Sequence, residues 1–198
     1  GLVPLRGQNN VQGGGDMGAL PNKFPGFQDI TNPDHRAKFE TAYGMELNPN
    51  NGKHLTLMLE AMEHGEIKAA YCIGENPADS EASAGHSRAL LEGLDILVVQ
   101  DIFMTTTAQL ADVILPSSVG WAECDGTVTS SERRVQRVRA AVTPPGACRH
   151  DHEIIGDAMQ LTHQRAKFGN ILTHTDDTGD LAISPSACSG IKKDFSPS

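Results

Sequence analysis

The residues best suited to chemistry come in a few clusters. Near the start, Gln8, Asn9, Asn10 and Gln12 are interleaved with Gly7, Gly13, Gly14, Gly15 and Gly18. Glycine loses more backbone freedom on ordering than any other residue, so this density implies a use: positive φ, or backbone amides brought close to a ligand. A flexible chain end is the alternative. Further on lie Arg133, Arg134, Arg137 and Arg139. They read either as a solvated basic face or as neutralisation of an anionic cofactor, since guanidinium matches phosphate bidentately. His150 and His152 flank Asp151, but an i, i+2 pair cannot share a helix face, which argues against a metal role. Cys72, Cys124, Cys148 and Cys188 show no C-x-x-C or iron–sulfur spacing. Each reads as a small, semi-buried apolar residue in a reducing compartment, with disulfides the lesser alternative.

The elements that must position these groups follow from periodicity. The first thirty residues resist regular structure, with Pro21, Pro25 and Gly26 closing the glycine-amide loop. Leu55, Met58, Leu59 and Met62 fall at helical spacing before His64-Gly65. Residues 69–73 read as a short buried strand ending at Gly74-Glu75-Asn76-Pro77, and Ser83 to Glu92 as a helix closed by Gly93. The β-branched run Asp95 to Val99 is the clearest strand. A short helix over Thr106 to Leu110 leads to a third strand, Val113 to Leu115, which Pro116 ends. Strand and helix alternating at these spacings predict an α/β domain with parallel pairing. Ligands in such sheets lie beyond the carboxyl ends of the strands. The segments to watch are therefore Gly74 to Ser80, Gln100 to Thr107 and Pro116 to Ser118. Beyond Trp121 the alternation stops. Thr127 to Thr129 reads as extended, Asp151 to Arg165 as a helix, and after Lys167 the signal decays.

Composition narrows the function classes. The chain has 198 residues, of which 38% are hydrophobic, enough for a sizeable core. A net charge of −9 argues against a phosphate-tracking nucleic-acid binder. No uninterrupted apolar run approaches membrane-spanning length. There is no basic-plus-apolar leader, but the sequence opens at Gly1 rather than Met. The cytoplasm is the expected location, and the periplasm remains open if a leader was lost.

Taken in order, several strings are more specific. Arg6-Gly7-Gln8-Asn9-Asn10-Val11-Gln12-Gly13, continuing to Asp16-Met17-Gly18-Ala19-Leu20-Pro21, closely resembles the active-site loop of molybdenum- or tungsten-dependent formate dehydrogenase catalytic subunits. Gly74-Glu75-Asn76-Pro77 is similar to that family's nucleotide loop. Val99 to Thr105 and Ala111 to Pro116 are similar to its next two strand-end signatures, and Asp125-Gly126-Thr127 with Glu132 to Gln136 completes the series. Several strings in the family's order make the resemblance specific where any one would be weak.

The resemblance implies a Rossmann-like, doubly wound parallel-sheet domain of the formate dehydrogenase/DMSO reductase type, with an irregular N-terminal loop and a weakly structured tail. It divides the chain into an active-site loop and irregular segment (1–52), a molybdopterin-guanine-dinucleotide-binding α/β domain (53–165) and a poorly defined tail (166–198). Arg6 matches the arginine that holds the formate carboxylate, and Gln8 a neighbouring amide near the pterin. Gly74, Asn76 and Ser80 match positions around a guanosine, Gln100 and Asp101 the next loop on the same nucleotide. Ser117 follows the third strand, and Asp151 matches an acidic position near a guanine edge. On residue type alone, Asn76 also suits a turn, Ser80 and Asp101 suit caps, and Asp112 suits a structural role.

The implied activity is oxidation of formate to carbon dioxide at a bis-molybdopterin guanine dinucleotide centre (Mo or W), with a [4Fe–4S] cluster bound by regions outside this sequence. The cysteine cluster, the Cys or selenocysteine metal ligand and the closing C-terminal domain of such enzymes are not in these 198 residues. The sequence is thus expected to be an internal piece, inactive alone, with the remaining domains of the subunit and electron-transfer subunits as partners. Gly15 stands where the family commonly has Cys, and the match thins beyond His163. The alternatives are another molybdopterin oxidoreductase, such as a nitrate reductase or the large subunit of complex I, or a catalytically silent nucleotide-binding scaffold.

Overall fold

The structure, a computed structural model, describes residues 8–132 and 134–169. In chain order its elements are α1 (Val11–Asp16), β1 (Lys23–Phe24), β2 (Gln28–Asp29), α2 (Pro33–Tyr43), α3 (Leu55–Glu63), β3 (Ala69–Ile73), α4 (Pro77–Ser80), α5 (Ala84–Glu92), β4 (Ile96–Asp101), α6 (Thr106–Leu110), β5 (Val113–Pro116), β6 (Gly126–Thr129), β7 (Val135–Val138) and α7 (Asp151–Gly169). They fall into two units. One is drawn from residues 8–68 and 120–143, the other from 69–119 and 144–169.

The second unit contains a three-stranded parallel sheet in the order β3-β4-β5. Tyr71 stands opposite Val98 and Ile73 opposite Gln100; Asp101 stands opposite Pro116, so the three carboxyl ends finish together. The apolar run of β4 places Leu97 and Val99 at the centre, both essentially unexposed. Ala78 of α4, Leu91 of α5, Ala108 of α6 and Ala111 pack on them, with Ala70, Cys72 and Ile114 at the margin. Fully burying a Leu or Val side chain is worth about 1.5–3 kcal/mol, so this cluster is what holds the strand ends in register. Asp112 ties β4 to the start of β5: its carboxylate accepts the Leu97 N–H at 2.7 Å and its own N–H donates to the Leu97 carbonyl at 2.9 Å.

The other unit differs from expectation at its start. The glycine-amide loop is not irregular throughout; α1 runs through Gly13, Gly14 and Gly15. Asn10 precedes it in the left-handed region, φ 58°. A Cβ on Gly13 would lie 2.2 Å from Asn10 Oδ1, so any larger residue there would displace a folded-back amide. That same Oδ1 accepts the Thr129 N–H at 2.9 Å, pinning α1 to the antiparallel hairpin β6–β7. α2, in a stretch where no element was expected, carries clear boundary signals. Asn32 accepts the Asp34 N–H, Pro33 takes the first turn and Gly44 ends the helix at φ 67°. Phe39 of α2 meets Phe24 of β1 at 4.6 Å between ring centres.

Candidate functional site

Two sites emerge, one in each unit. In the second unit, the polar turns after β3, β4 and β5 lie at the carboxyl ends of the sheet. Gly74, at φ 63°, donates its N–H to the Gln100 carbonyl at 2.9 Å, and the Ser117 N–H donates to the Asp101 carbonyl at 3.2 Å. The chain returns beside β5 through a parallel bridge between Ser117 and Arg149. The Arg149 N–H donates to the Pro116 carbonyl, and the Ser118 N–H to the Arg149 carbonyl. This carries Asp151, the first residue of α7, to the mouth of the sheet. His150 caps the turn: Ser118 Oγ and His150 Nδ1 lie 2.8 Å apart, and the His150 N–H donates to Glu153 Oε2 at 3.3 Å. Because His150 precedes the helix, its ring stacks on His152 at 5.6 Å although the two are only two residues apart.

Gln100 and Asp151, far apart in sequence, are joined directly. Gln100 Nε2 donates to Asp151 Oδ1 at 2.6 Å, and Gln100 Oε1 accepts from the Tyr71 hydroxyl. Gln100 is fully buried, whereas Asp151 is exposed. Burial raises the Tyr71 pKa, with the Asp151 charge adding to the effect.

Asn76 is differently engaged. Its Oδ1 accepts both the Thr107 N–H at 3.0 Å and the Thr107 hydroxyl at 2.7 Å, while its Nδ2 donates to Asp79 Oδ2 at 2.9 Å. Thr107 Oγ1 in turn accepts the Ala78 N–H at 3.1 Å. The Thr106 hydroxyl donates to the same Asp79 oxygen, and these bonds hold Asp79 below the usual carboxylate range, Thr106 contributing most. Asn76 is thus a latch between the turn after β3 and the start of α6. Asp101 Oδ1 accepts the Phe103 N–H at 2.9 Å and closes a turn. Ser80 ends α4 on the exposed side, its N–H donating to the Asn76 carbonyl. Cys72 packs against the core; burial raises its pKa, and its thiol donates to the Glu75 carbonyl.

In the other unit a cleft of about 250 Å³ is lined by Gln8 to Gln12 on one side and Thr129 to Ser131 on the other. Ser130 Oγ is buried without a hydrogen-bond partner, an expensive state that a bound polar group would relieve. Arg6 and Arg133 lie outside the described residues, as does the tail beyond 169. Of the remaining arginines, Arg137 pairs with Asp125 at 3.5 Å, and Asp125 also accepts the Ala140 N–H. Among the described residues no group of three or more His, Cys, Asp or Glu side chains could hold a metal. No described helix is long and apolar enough to cross a membrane.

Sequence reading missed Tyr71, and it gave Thr107 and Asn10 no role of their own although both stand in segments it singled out. The β3–β4 register puts Tyr71 and Gln100 on one face as diagonal neighbours, and that register has no signature in local spacing. An Asn before a glycine run was the one visible hint for Asn10.

The class defined by this fold is an α/β protein with a parallel sheet whose strand-end turns form a polar mouth. A solved structure of the same class is acetylene hydratase from Pelobacter acetylenicus, at TM-score 0.51 and 25% identity over 68% of this chain and 19% of that one. Residues 5–159 match the molybdopterin oxidoreductase profile, and the chain belongs to that family. It is 53% identical over 169 residues to the alpha subunit of a formate dehydrogenase from Methanocaldococcus jannaschii, covering 85% of this chain and 24% of that protein. It is 44% identical over 158 residues to formate dehydrogenase H from Escherichia coli, covering 79% of this chain and 22% of that protein. The chain therefore spans about a quarter of the length of the curated relatives it matches.

Proposed function

We propose that the chain is part of a formate dehydrogenase catalytic subunit, which oxidises formate to carbon dioxide and passes the electrons to a [4Fe–4S] cluster bound outside this stretch. The observation that carries the reading is the string Arg6-Gly7-Gln8-Asn9-Asn10 in a chain 44% and 53% identical to two proteins named as formate dehydrogenases.

The residues present fit a molybdopterin guanine dinucleotide. The amides and hydroxyls of the Gln8–Ser131 cleft, with the orphaned Ser130 Oγ, suit the donor- and acceptor-rich edge of a pterin. The exposed Asp151 carboxylate suits guanine, whose N1–H and N2–H₂ are parallel donors. Gly74, Ser80 and Ser117 would line the nucleotide; Asn76 and Asp101 hold the turns that present them. Residues 53–165 would thus carry the nucleotide end and residues 1–52 the active-site loop, with no role assigned to 166–198. When bound, the metal–pterin group supplies the two-electron acceptor chemistry.

The chain's own part is binding and orientation. Arg6 holds the formate carboxylate through a bidentate pair, and Gln8 orients it from the cleft wall. Formate loses two electrons and a proton as it becomes carbon dioxide, so the anion that Arg6 grips becomes a neutral product that leaves. The setting we propose for the subunit is the cytoplasm. Remaining domains of the subunit and electron-transfer subunits complete the assembly.

The test is Arg6→Ala in the full-length subunit. Loss of the guanidinium that pairs with the formate carboxylate lowers kcat/KM for formate roughly 10²-fold or more, with molybdopterin content near normal. Unchanged formate kinetics, or reduction of nitrate in preference to oxidation of formate, overturns the reading.

A further inference from the structure

We propose that Tyr71 and Gln100 are positioning residues: together they form a one-way hydrogen-bond relay that fixes the Asp151 carboxylate to receive a nucleobase edge bearing two donors. The inference rests on the reading above that this mouth holds the guanine end of the cofactor.

The polarity of the relay is forced by chemistry. An ionised carboxylate only accepts, so the end of Gln100 facing Asp151 Oδ1 must be its NH₂ group, 2.6 Å away. Its carbonyl oxygen then faces Tyr71, whose hydroxyl must donate. Gln100 has no water to fall back on, since it is wholly buried, and a buried amide with one end unpaired is costly. With Tyr71 donating, only one orientation of the amide satisfies both ends. Without that donor the Gln100 oxygen is buried with no partner, and the amide is held only by the carboxylate it should position.

Asp151 is accordingly held by one oxygen, while Oδ2 takes no hydrogen bond from any described residue and the group is exposed. A carboxylate so fixed accepts two parallel donors, as guanine offers, and repels the acceptor nitrogen on the pairing edge of adenine or cytosine. Backbone pairing supports the geometry from both sides. Tyr71 is fixed opposite Val98, and the Ser117–Arg149 bridge sets the height of Asp151 above the strand ends.

The test uses the full-length holoenzyme and measures guanine nucleotide retained per subunit after dialysis, released by acid hydrolysis. Tyr71→Phe, which removes only the donor, should speed loss of nucleotide about 2- to 12-fold, as expected for one net hydrogen bond. Because Tyr71 acts through Asp151, the same substitution in an Asp151→Asn background should add nothing further. Retention by Tyr71→Phe equal to wild type, or effects that multiply in the double variant, overturns the relay. Gln100→Met, of similar length without polar atoms, carries the same cycle should Tyr71→Phe fail to fold. A wild-type enzyme that releases no guanine nucleotide overturns the cofactor reading itself, a result distinguishable from failure of the relay.

Discussion

Replacing Thr107 with valine is the sharpest perturbation of the nucleotide mouth. The two side chains have the same shape, and Thr107 is fully buried, so the change deletes a hydroxyl and little else. That hydroxyl donates to Asn76 Oδ1 at 2.7 Å and accepts the Ala78 N–H at 3.1 Å. Asn76 Oδ1 keeps the Thr107 backbone N–H, so it loses one of two bonds. The Ala78 N–H, on a residue 2% exposed, is left with a methyl group before it. One lost net hydrogen bond costs about 0.5–1.5 kcal/mol and one stranded buried donor about 1–3, together about 1.5–4.5 kcal/mol. At about 1.4 kcal/mol per factor of ten, local opening of the 76–79 turn should become roughly 10- to 1,600-fold more frequent. Amide hydrogen exchange of Ala78 and Asp79 in the full-length subunit reads this directly. Thr107→Ser retains the hydroxyl and should remain close to wild type. Equal protection of Ala78 in the valine variant would refute the latch.

Four further outcomes follow from particular contacts. Gly13→Ala places a Cβ 2.2 Å from Asn10 Oδ1, which is anchored on the Thr129 N–H, so Thr129 exchange should accelerate about tenfold. Gly14→Ala meets only the Ala19 Cβ at 4.0 Å and should be neutral or stabilising by thermal melt, since Ala gains about 0.8–1.0 kcal/mol in a helix. Asp79 is held below the usual carboxylate range by Thr106 and Asn76. Its stabilising effect is therefore present above the ordinary Asp value of about 3.9 and lost as pH falls through the lower folded value. Exchange protection of the 76–79 turn should fall in that acid window, and Asp79→Asn should abolish the dependence. Leu97→Ala, at the 1% exposed centre of the sheet, should cost about 2–5 kcal/mol by denaturant unfolding and loosen every strand-end turn together.

Much of the second unit was legible residue by residue. The run before Gln100 is β-branched and bounded by polar residues, and β4 forms there, extending two residues further to Asp101. Ser83 and Gly93 bracket α5 as cap residues. The turns after the three strands lie at the carboxyl ends of the sheet because parallel pairing admits no other place for them. The glycine run was read less well. Its density suggested positive φ or a close approach, which Gly18 meets at φ 89°, but the helix through Gly13 to Gly15 and the Asn10 side chain folded onto Gly13 had no clear local signal. α2 escaped notice although Asn32, Pro33 and Gly44 mark both its ends; its few apolar residues form no clear stripe, and only packing of Phe39 on Phe24 completes the case.

In the second unit the chain by itself determined the strands, the helices between them and the polar residues in the connecting turns, because caps, β-branched runs and helical spacing act over a few residues. Tertiary structure alone decided what those polar residues do. Gln100 meets Asp151 and Tyr71, and Asn76 latches onto Thr107. Such partnerships depend on the register of a parallel sheet and on the bridge that returns the chain to Arg149. Both are set by burial of a shared core across dozens of intervening residues, for which no local spacing can stand in.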